Sequence, residues 1–324
     1  MILESLMRKH LSLVFVCVAA LTSTGCRQSQ DDPKKPNVKG TVGISVLTMT
    51  NPFFKEIADV FTDEMAKNGY DVITVSGDED VAKQQKQVND FLVRKVSAIV
   101  LCPCDSKAIG SVIKEANQKG VPVFTADIAC LDPDAKVVTH VATDNYAGGK
   151  QAGEAIIEAL GESGGKVLLL NYQKVESCIL RVKGFKEVLD AHNAKRATGK
   201  ISIVSELPCG GDKEIGYKAT QDALQSHPDI AGIFAINDPA ALGARAALEK
   251  ANKTEQVKII GFDGQPEGKK AIAEGKIYAD PIQHPDQIGR QTARSILRYF
   301  QGDATLPKEI LIPTNLYRQA DAKK

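Results

Sequence analysis

The sequence predicts an α/β protein of two doubly wound lobes, each a parallel sheet covered by helices on both faces. Its 324 residues exceed the usual size of one domain and suit two. From Thr41 onward, short runs rich in β-branched residues alternate with amphipathic runs of helical period. About ten strand-like runs occur, too many for one regular sheet and appropriate for two sheets of about five or six strands. The hydrophobic fraction of 43% and the charged fraction of 25% are those of an ordinary soluble globular protein.

Each element follows from a local pattern. Pro52 suits the first turn of a helix, the apolar residues of 81–95 keep helical spacing, and Asp105 or Ser106 is placed to cap the helix that follows. The expected strands span 42–47, 71–75, 98–101, 121–125, 137–141, 166–170, 201–206, 232–236, 258–261 and 277–282. The expected helices span 52–68, 81–95, 106–119, 145–160, 178–191, 212–226, 239–248, 266–274 and 286–300.

The N-terminus predicts secretion. Arg8, Lys9 and His10 precede an apolar run at 11–21 that is well short of the roughly 20 residues needed to cross a bilayer. A basic head, a short apolar run and then small residues are typical of a secretory signal peptide, which we assign to residues 1–25.

Cys26 directly follows the small residues 22–25, and the segment resembles a bacterial lipoprotein signal. In such signals the cysteine is lipidated and becomes the new N-terminus. Ser23 stands where that pattern usually has Leu. The alternative is ordinary cleavage that leaves Cys26 free.

Residues 26–39 are polar and contain Pro33 and Pro36, so they cannot bury apolar surface and are expected to form a tether between the membrane and the folded part. The formal net charge is +1, and removing the signal peptide leaves equal numbers of basic and acidic side chains. A neutral chain lacks the electrostatic footprint of a nucleic-acid-binding protein. A neutral or weakly charged ligand fits better.

Polar and aromatic side chains follow the predicted strands, where open parallel sheets bind their ligands. Amides and guanidinium groups can donate to the hydroxyls of a sugar, a carboxylate can accept from two hydroxyls at once, and a phenyl ring offers a flat face to the C–H side of a sugar ring. Taken singly, such residues are more often turn formers, helix caps or core. Their convergence on one end of the sheets indicates a site for a small sugar or sugar-like molecule. The candidate ligand-binding residues are Asn51, Phe53, Phe54, Cys102, Asp127, Arg181, Asn237, Asp263 and Gln283.

Several motifs occur in a fixed order between Val38 and Pro313. They are Asn51-Pro52-Phe53-Phe54, Thr143-Asp144-Asn145 with Gly148-Gly149-Lys150, His227-Pro228-Asp229, Asn237-Asp238, Gly261-Phe262-Asp263-Gly264 and Pro285-Asp286-Gln287-Ile288-Gly289. In these motifs the chain resembles the ribose-type periplasmic binding proteins, which belong to the larger group that includes the LacI-type regulators. The resemblance implies two lobes that close on a sugar held between them.

The resemblance also implies the residue roles and the chain path. Asn51, Phe53 and Phe54 with Asp127 would contact the sugar from the first lobe, and Arg181, Asn237, Asp263 and Gln283 from the second lobe or the hinge. The hinge would have three segments, near 142–144, 283–284 and 312–314. The first lobe would comprise 40–142 with 284–312, and the second 143–283 with 313–324. Such a protein acts as an extracytoplasmic monomer, in the periplasm or at the outer cell surface, and delivers its sugar to the permease and ATPase of an ABC importer.

Three positions depart from the ribose pattern. Cys102 replaces an Asn, Ile128 replaces an Arg, and Gly211 replaces a Phe that stacks from the second lobe. The pocket is therefore expected to be larger and less polar than a ribose pocket. A larger or partly deoxygenated ligand becomes plausible.

Five cysteines lie past the ends of strands. They are Cys102, Cys104, Cys130, Cys178 and Cys209. Because secreted proteins can keep disulfides, we expect one bridge per lobe: Cys102 or Cys104 with Cys130, and Cys178 with Cys209. The alternatives are a metal held by the thiolates of Cys102 and Cys104, which no nearby His supports, and simple buried packing. No metal and no cofactor are expected.

Other classes of protein are less favoured by the sequence. It contains no nucleophile elbow, phosphate-binding loop or dinucleotide fingerprint, and Gly148-Gly149-Lys150 lies inside a helical run. Asp127 and Asp263 could be imagined as a glycosidase pair, but hydroxyl acceptors in a binding pocket are the simpler interpretation, so no enzyme is expected. A regulator would need a helix-turn-helix where the signal segment and tether stand. A receptor that reports to a sensor kinase or chemoreceptor, or binds a signalling furanone, stays open.

Overall fold

The computed structural model describes residues 38–323. The predicted signal peptide, the lipidation site Cys26 and nearly all of the tether lie outside the described residues. Within the described part, no helix is both long enough and apolar enough to cross a membrane.

Strands and helices alternate along the chain, as the sequence predicts. The strands are β1 (Gly40–Val46), β2 (Tyr70–Ser76), β3 (Ala98–Leu101), β4 (Val123–Ala126), β5 (His140–Thr143), β6 (Gly165–Asn171), β7 (Ile201–Pro208), β8 (Ile230–Ala235), β9 (Lys258–Ile260), β10 (Ala279–Ile282), β11 (Glu309–Ile312) and β12 (Asn315–Arg318). The helices are α1 (Pro52–Lys67), α2 (Val81–Val93), α3 (Gly110–Gln118), α4 (Asn145–Leu160), α5 (Glu176–Ala194), α6 (Lys213–Ser226), α7 (Asp238–Lys250), α8 (Pro266–Ala273) and α9 (Pro285–Phe300).

The strands form two six-stranded sheets. The first has the order β11-β5-β4-β3-β1-β2, and all of its pairs are parallel. The second has the order β12-β10-β9-β8-β6-β7, and it is parallel except for its edge strand β12, which runs antiparallel to β10. The predicted fold of two doubly wound α/β lobes is therefore confirmed. The ten predicted strands are present, and the structure adds β11 and β12.

The chain crosses between the sheets at three places. After β5 it enters α4, which packs on β8, β9 and β10 of the second sheet. After β10 it enters α9, which packs on α1, β4 and β5 of the first lobe. The last crossing lies between β11 of the first sheet and β12 of the second. The residue-level lobe boundaries given above stay predictions.

Asn and Asp side chains start many of the helices by accepting a backbone N–H of the first turn. The capping residues are Asn51, Asp80, Asp144, Asp212 and Asn237. Most of these caps directly follow a strand or a strand-end loop, so the chemistry that begins the helices also places polar side chains at one end of each sheet.

Two predicted elements begin three or more residues later in the structure than in the prediction. The helix predicted at 106–119 begins at Gly110, because Asp105 caps a separate turn by accepting from Lys107 N and Ala108 N at 2.9 Å each. Strand β5 begins at His140, three residues after the predicted start, and pairs with β4 through Thr125 and Ala126. Both shifts concern boundaries and leave the order of elements unchanged.

Candidate functional site

A cavity of about 540 Å³ lies between the lobes, at the carboxyl ends of both sheets. Eight of the nine predicted ligand-binding residues line it together. They are Asn51, Phe53, Phe54, Asp127, Arg181, Asn237, Asp263 and Gln283. Ile128 and Gly211, two of the positions that depart from the ribose pattern, line it as well.

Cys102 is the predicted site residue that the structure does not bring into the cavity. Its side chain is fully buried in the apolar core, and its backbone carbonyl accepts from Gln84 Nε2 at 3.0 Å. Burial raises the pKa of the Cys102 thiol well above its ordinary value. Cys102 was predicted to contact the ligand because it directly follows β3. Its side chain packs into the core instead, so Cys102 is not among the residues that line the cavity.

The predicted disulfides are also wrong. All five cysteines of the described chain are free thiols. Burial is the main reason that the pKa values of Cys104, Cys178 and Cys209 are raised to about 12. These thiols therefore stay protonated at neutral pH and act as small apolar groups in the packing.

Asp127 is a buried acidic group of the first lobe in the cavity, which Glu79 of the same lobe also lines. It directly follows β4 with φ of +63°, a backbone conformation that side chains other than glycine seldom adopt. Its Oδ1 atom is buried and accepts no hydrogen bond from any described residue. Burial, which outweighs the opposing charge of Arg181, raises the pKa of Asp127 to about 7. A buried acceptor without a donor in a cavity wall is suited to a ligand hydroxyl.

Arg181 is fixed from three sides in the second lobe. Its Nε donates to Asn145 Oδ1 at 2.8 Å, and its Nη1 donates to the Ile236 carbonyl at 2.7 Å and to Asp263 Oδ1 at 3.1 Å. Its guanidinium carbon lies 3.9 Å from the centre of the Phe262 ring. None of these bonds uses Nη2. The guanidinium is therefore held rigidly, with two N–H groups left to donate to a ligand.

Asp263 and Gln283 connect the second lobe to the hinge. Gln283 Nε2 donates to Asp263 Oδ1 at 2.6 Å, and Gln283 Oε1 accepts from Thr143 Oγ1 at 2.8 Å. Burial raises the pKa of Asp263, while the neighbouring Arg181 charge opposes that rise. Asp263 has φ of +105°, so Asp127 and Asp263, which both line the cavity, each have a strained backbone.

Asn51 and Asn237 serve the protein as well as the cavity. Asn51 Oδ1 accepts from Phe53 N at 3.0 Å and caps α1. Asn237 Oδ1 accepts from Ala240 N at 3.0 Å and caps α7, while its Nδ2 donates to the Gly211 carbonyl at 2.9 Å. Each asparagine thus places its own amide at the cavity by starting a helix there.

Phe53 and Phe54 combine core packing with a cavity wall. They are 3% and 5% exposed, and their rings meet edge to face with centroids 5.3 Å apart. Both rings also line the cavity. The two rings therefore form part of the apolar wall of the first lobe.

Direct hydrogen bonds join the two lobes around the cavity. Gln265 Nε2 of the second lobe donates to Asn51 Oδ1 of the first at 2.6 Å. On another side, Ser106 N donates to the Lys174 carbonyl at 3.0 Å, and Ser106 Oγ accepts from Glu176 N at 2.9 Å. Glu176 is the first residue of α5, which has no cap from its own preceding residue. Ser106 therefore caps, from the first lobe, the helix of the second lobe that carries Arg181.

A pair of buried carboxyls lies in the second lobe, and one of the two, Asp238, also lines the cavity. Asp238 and Asp280 are 1% and 0% exposed, and their side chains hydrogen-bond each other. Asp238 Oδ2 accepts from Gln265 N at 2.6 Å. Apart from a proton that the two carboxyls share, Asp238 Oδ1 and both oxygens of Asp280 have no hydrogen-bond donor among the described residues. Burial and mutual repulsion raise the pKa of Asp238 strongly, and burial raises that of Asp280 to about 6. The pair is therefore stable when it shares a proton.

Other lining residues were missed by sequence reasoning. Thr48, Tyr172, Lys213 and Gln265 line the cavity. All four lie one to five residues past a strand, so the strand-end rule could have included them. Ser106 also follows a strand, but its role depends on the contact between lobes, which that rule does not predict.

A polar cavity closed by two lobes is the architecture of a substrate-binding protein. A model of the periplasmic binding protein domain matches residues 42–304, and the chain belongs to this family. The chain is 35% identical over 275 residues to the ribose import binding protein of Escherichia coli, covering 84% of this chain and 90% of that protein. It is 32% identical over 318 residues to the ribose import binding protein of Bacillus subtilis, covering 97% and 100%. The crystal structure of the Caulobacter myo-inositol binding protein with myo-inositol is 26% identical, with a TM-score of 0.80 and coverage of 87% of this chain and 94% of that one.

Proposed function

We propose that this chain captures a sugar in the cavity between its lobes and delivers it to an ABC importer. The observation that carries the proposal is the buried Asp127 carboxylate, whose Oδ1 has no donor in the described chain and faces a cavity that also contains a rigid guanidinium. Sugar hydroxyls can donate to the first and accept from the second. The family and its ribose import relatives support the same function.

The ligand is proposed to be larger or less polar than free ribose. Ile128 and Gly211 in the lining offer no polar group, and Cys102 is withdrawn into the core. The relatives span ligands of different ring types, since one is named for ribose and another binds myo-inositol. The carboxylates, the guanidinium and the phenyl wall would contact the sugar, and Ile128 and Gly211 would leave room for a larger one.

Binding is proposed to favour the closed arrangement of the lobes. Asn51 contributes to the cavity and also bonds Gln265 across it, and Ser106 bonds the first turn of α5. A ligand that contacts both lobes adds to these bonds only when the lobes are together, so it shifts the population toward closure.

A thermal-shift screen of the purified secreted protein tests the proposal. Pentoses, hexoses, deoxy sugars, polyols and nucleosides would each be added in excess. A ligand at about 100 times its Kd stabilises by about 2.7 kcal/mol, which moves the Tm of a chain of this size by several degrees. A shift with one class of sugar supports capture, and no shift with any compound in a folded sample contradicts it.

The protein is proposed to bind its sugar without cleaving it. Asp263 is engaged by Arg181 and Gln283 and is therefore unsuited to attack or to proton transfer. Incubation with 4-nitrophenyl glycosides should release no nitrophenol, and steady release that is lost in Asp127→Asn would overturn this part.

A lipid anchor at Cys26 is proposed from the sequence, for a protein whose family is extracytoplasmic. Cells that express the wild type should incorporate labelled palmitate into the protein and retain it in the membrane fraction. Cys26→Ala should abolish both. Unchanged labelling of the variant would contradict the anchor.

A further inference from the structure

A second cavity, also of about 540 Å³, adjoins the ligand cavity. The two cavities share Glu79, Tyr172 and Gly210 in their linings. These shared residues place the two cavities side by side, so a group attached to a ligand in the first cavity would lie near the second.

Gly211 lines the first cavity next to Gly210, which both cavities share, and adds no side chain there. Its φ is +71°, and a Cβ atom at this position would lie 3.0 Å from Asn237 Nδ2 and 3.8 Å from Tyr172 Cδ1. Any larger side chain would therefore project between an amide of the sugar cavity and the ring shared by both cavities. The neighbouring Gly210, with φ of +60°, also lacks a side chain.

The second cavity has an apolar wall and a polar rim. The apolar side chains are Tyr172, Leu207, Pro208 and Ile215, and Ile215 is 48% exposed at the start of α6. An exposed Ile next to a half-buried Tyr ring provides a surface that a flat apolar group can cover. Tyr172 lines both cavities. A flat group that covers this surface would therefore lie next to the bound sugar, close enough to be linked to it.

We propose that the second cavity is a subsite for the aglycone of a glycoside, and that the preferred ligand is a sugar linked to a flat, largely apolar group. The inference rests on the proposed capture of a sugar in the first cavity and names the class of sugar derivative that the protein takes. The sugar hydroxyls pair with Asp127 and Arg181, and the aglycone packs on Tyr172 and Ile215.

Matched pairs of methyl and 4-nitrophenyl glycosides test this subsite in the purified secreted protein. Ribofuranosides, arabinofuranosides, glucopyranosides and galactopyranosides would be compared by calorimetry. We expect at least one 4-nitrophenyl glycoside to bind about tenfold more tightly than its methyl partner, a difference of about 1.4 kcal/mol. Burial of roughly 60 Å² of apolar surface is enough for that gain.

Two variants separate the subsite from a general effect of hydrophobic compounds. Ile215→Asp should lose the preference for the nitrophenyl glycoside and keep its affinity for the methyl glycoside. Ile179→Asp is the control, because Ile179 is similarly exposed, at 37%, on α5 but lines neither cavity. It should retain the preference.

The outcomes distinguish this inference from the proposed function. Equal affinities within every pair that binds would overturn the subsite and leave sugar capture standing. A preference that survives in Ile215→Asp would also overturn it. Failure of every glycoside and every free sugar to bind would overturn both.

Discussion

At the scale of residues, the site contains buried polar atoms that have no hydrogen-bond partner in the described part of the chain, such as Asp127 Oδ1. Asp127 and Asp263 both have positive φ and buried carboxylates, which together cost stability. Only one of the two is neutralised, since Arg181 donates to Asp263. Ligand binding therefore recovers the most free energy at the Asp127 carboxylate, whose Oδ1 has no hydrogen-bond donor in the described part of the chain.

Asp127→Asn should stabilise the empty protein and weaken binding. At pH 8 the wild-type carboxylate is ionised, because its pKa is raised to about 7. Asn keeps the shape, tolerates positive φ and removes the buried charge, so the Tm of the unliganded variant should rise by a few degrees. Sugar affinity should fall at least tenfold, because an acceptor is lost.

Calorimetry and thermal unfolding check this prediction. Asp59→Asn, an exposed residue of α1, is the control and should change neither quantity. A destabilised Asp127→Asn protein with normal affinity would contradict the interpretation.

The Asp238–Asp280 pair should make stability decrease toward alkaline pH. The folded pKa of Asp280 is raised to about 6, so its stabilising contribution is complete below about pH 4 and is lost as the pH rises through 6. Among its neighbours, Asp263 raises the pKa of Asp280 further, whereas the hydrogen bond with Asp238 and the charge of Lys269 lower it. Asp280→Asn supplies a permanent donor to Asp238, so this variant should be more stable than the wild type at pH 8 by about 1–3 kcal/mol.

Thermal unfolding at pH 5 and pH 8 measures the effect as the difference between variant and wild type. That difference should be larger at pH 8. Asp222→Asn, on α6 of the same lobe, should show no such pH dependence. An Asp280→Asn protein that is less stable than the wild type at pH 8 would refute the shared proton.

At the scale of elements, the sequence predicts most of the fold because the two periodicities and the capping residues are local signals. Strands β11 and β12 escaped prediction, since each is four residues long and lies partly exposed at the edge of its sheet. Most of the site could be predicted by the rule that ligands bind past the ends of parallel strands. The inward turn of Cys102 and the contact of Ser106 with α5 depend on tertiary packing, which no local pattern encodes.

Ser106→Ala should weaken sugar binding without harming either lobe. The Ser106 hydroxyl caps α5 across the cleft, so its loss removes a bond present only when the lobes are together. A helix cap contributes about 1 kcal/mol, which predicts a Kd about fivefold higher. The Tm of the unliganded protein should change little.

Ser111→Ala is the matched control, because the Ser111 hydroxyl bonds the Ala108 carbonyl within the first lobe. It should bind sugar like the wild type. Equal affinity of both variants would show that the cap does not contribute to closure.

At the scale of the whole molecule, the three crossing segments are hydrogen-bonded to one another. Asp144 N donates to the Ile312 carbonyl at 2.9 Å, and Thr314 Oγ1 donates to the Ile282 carbonyl at 2.6 Å. Thr143 Oγ1 donates to Gln283, which in turn holds Asp263 in the cavity. The Gln283 side chain therefore couples bending of the hinge to the placement of a ligand-binding carboxylate, beside the backbone bonds that join Asp263 to Pro281 and Gln283.

Thr143→Val tests that coupling, because Thr143 does not line the cavity. Loss of its hydroxyl leaves Gln283 Oε1 buried without its donor. This destabilises the hinge by about 1–3 kcal/mol. We expect sugar affinity to fall at least fivefold. We also expect small-angle scattering to show a smaller decrease in radius of gyration on addition of saturating sugar than the wild type shows. Thr292→Val, which removes a buried hydroxyl bonded only to the Ile288 carbonyl of its own helix, should leave both quantities unchanged. If the two variants behave alike, hinge bending is independent of the Thr143–Gln283 bond, and Asp263 is positioned by Arg181 and by its backbone bonds to Pro281 and Gln283.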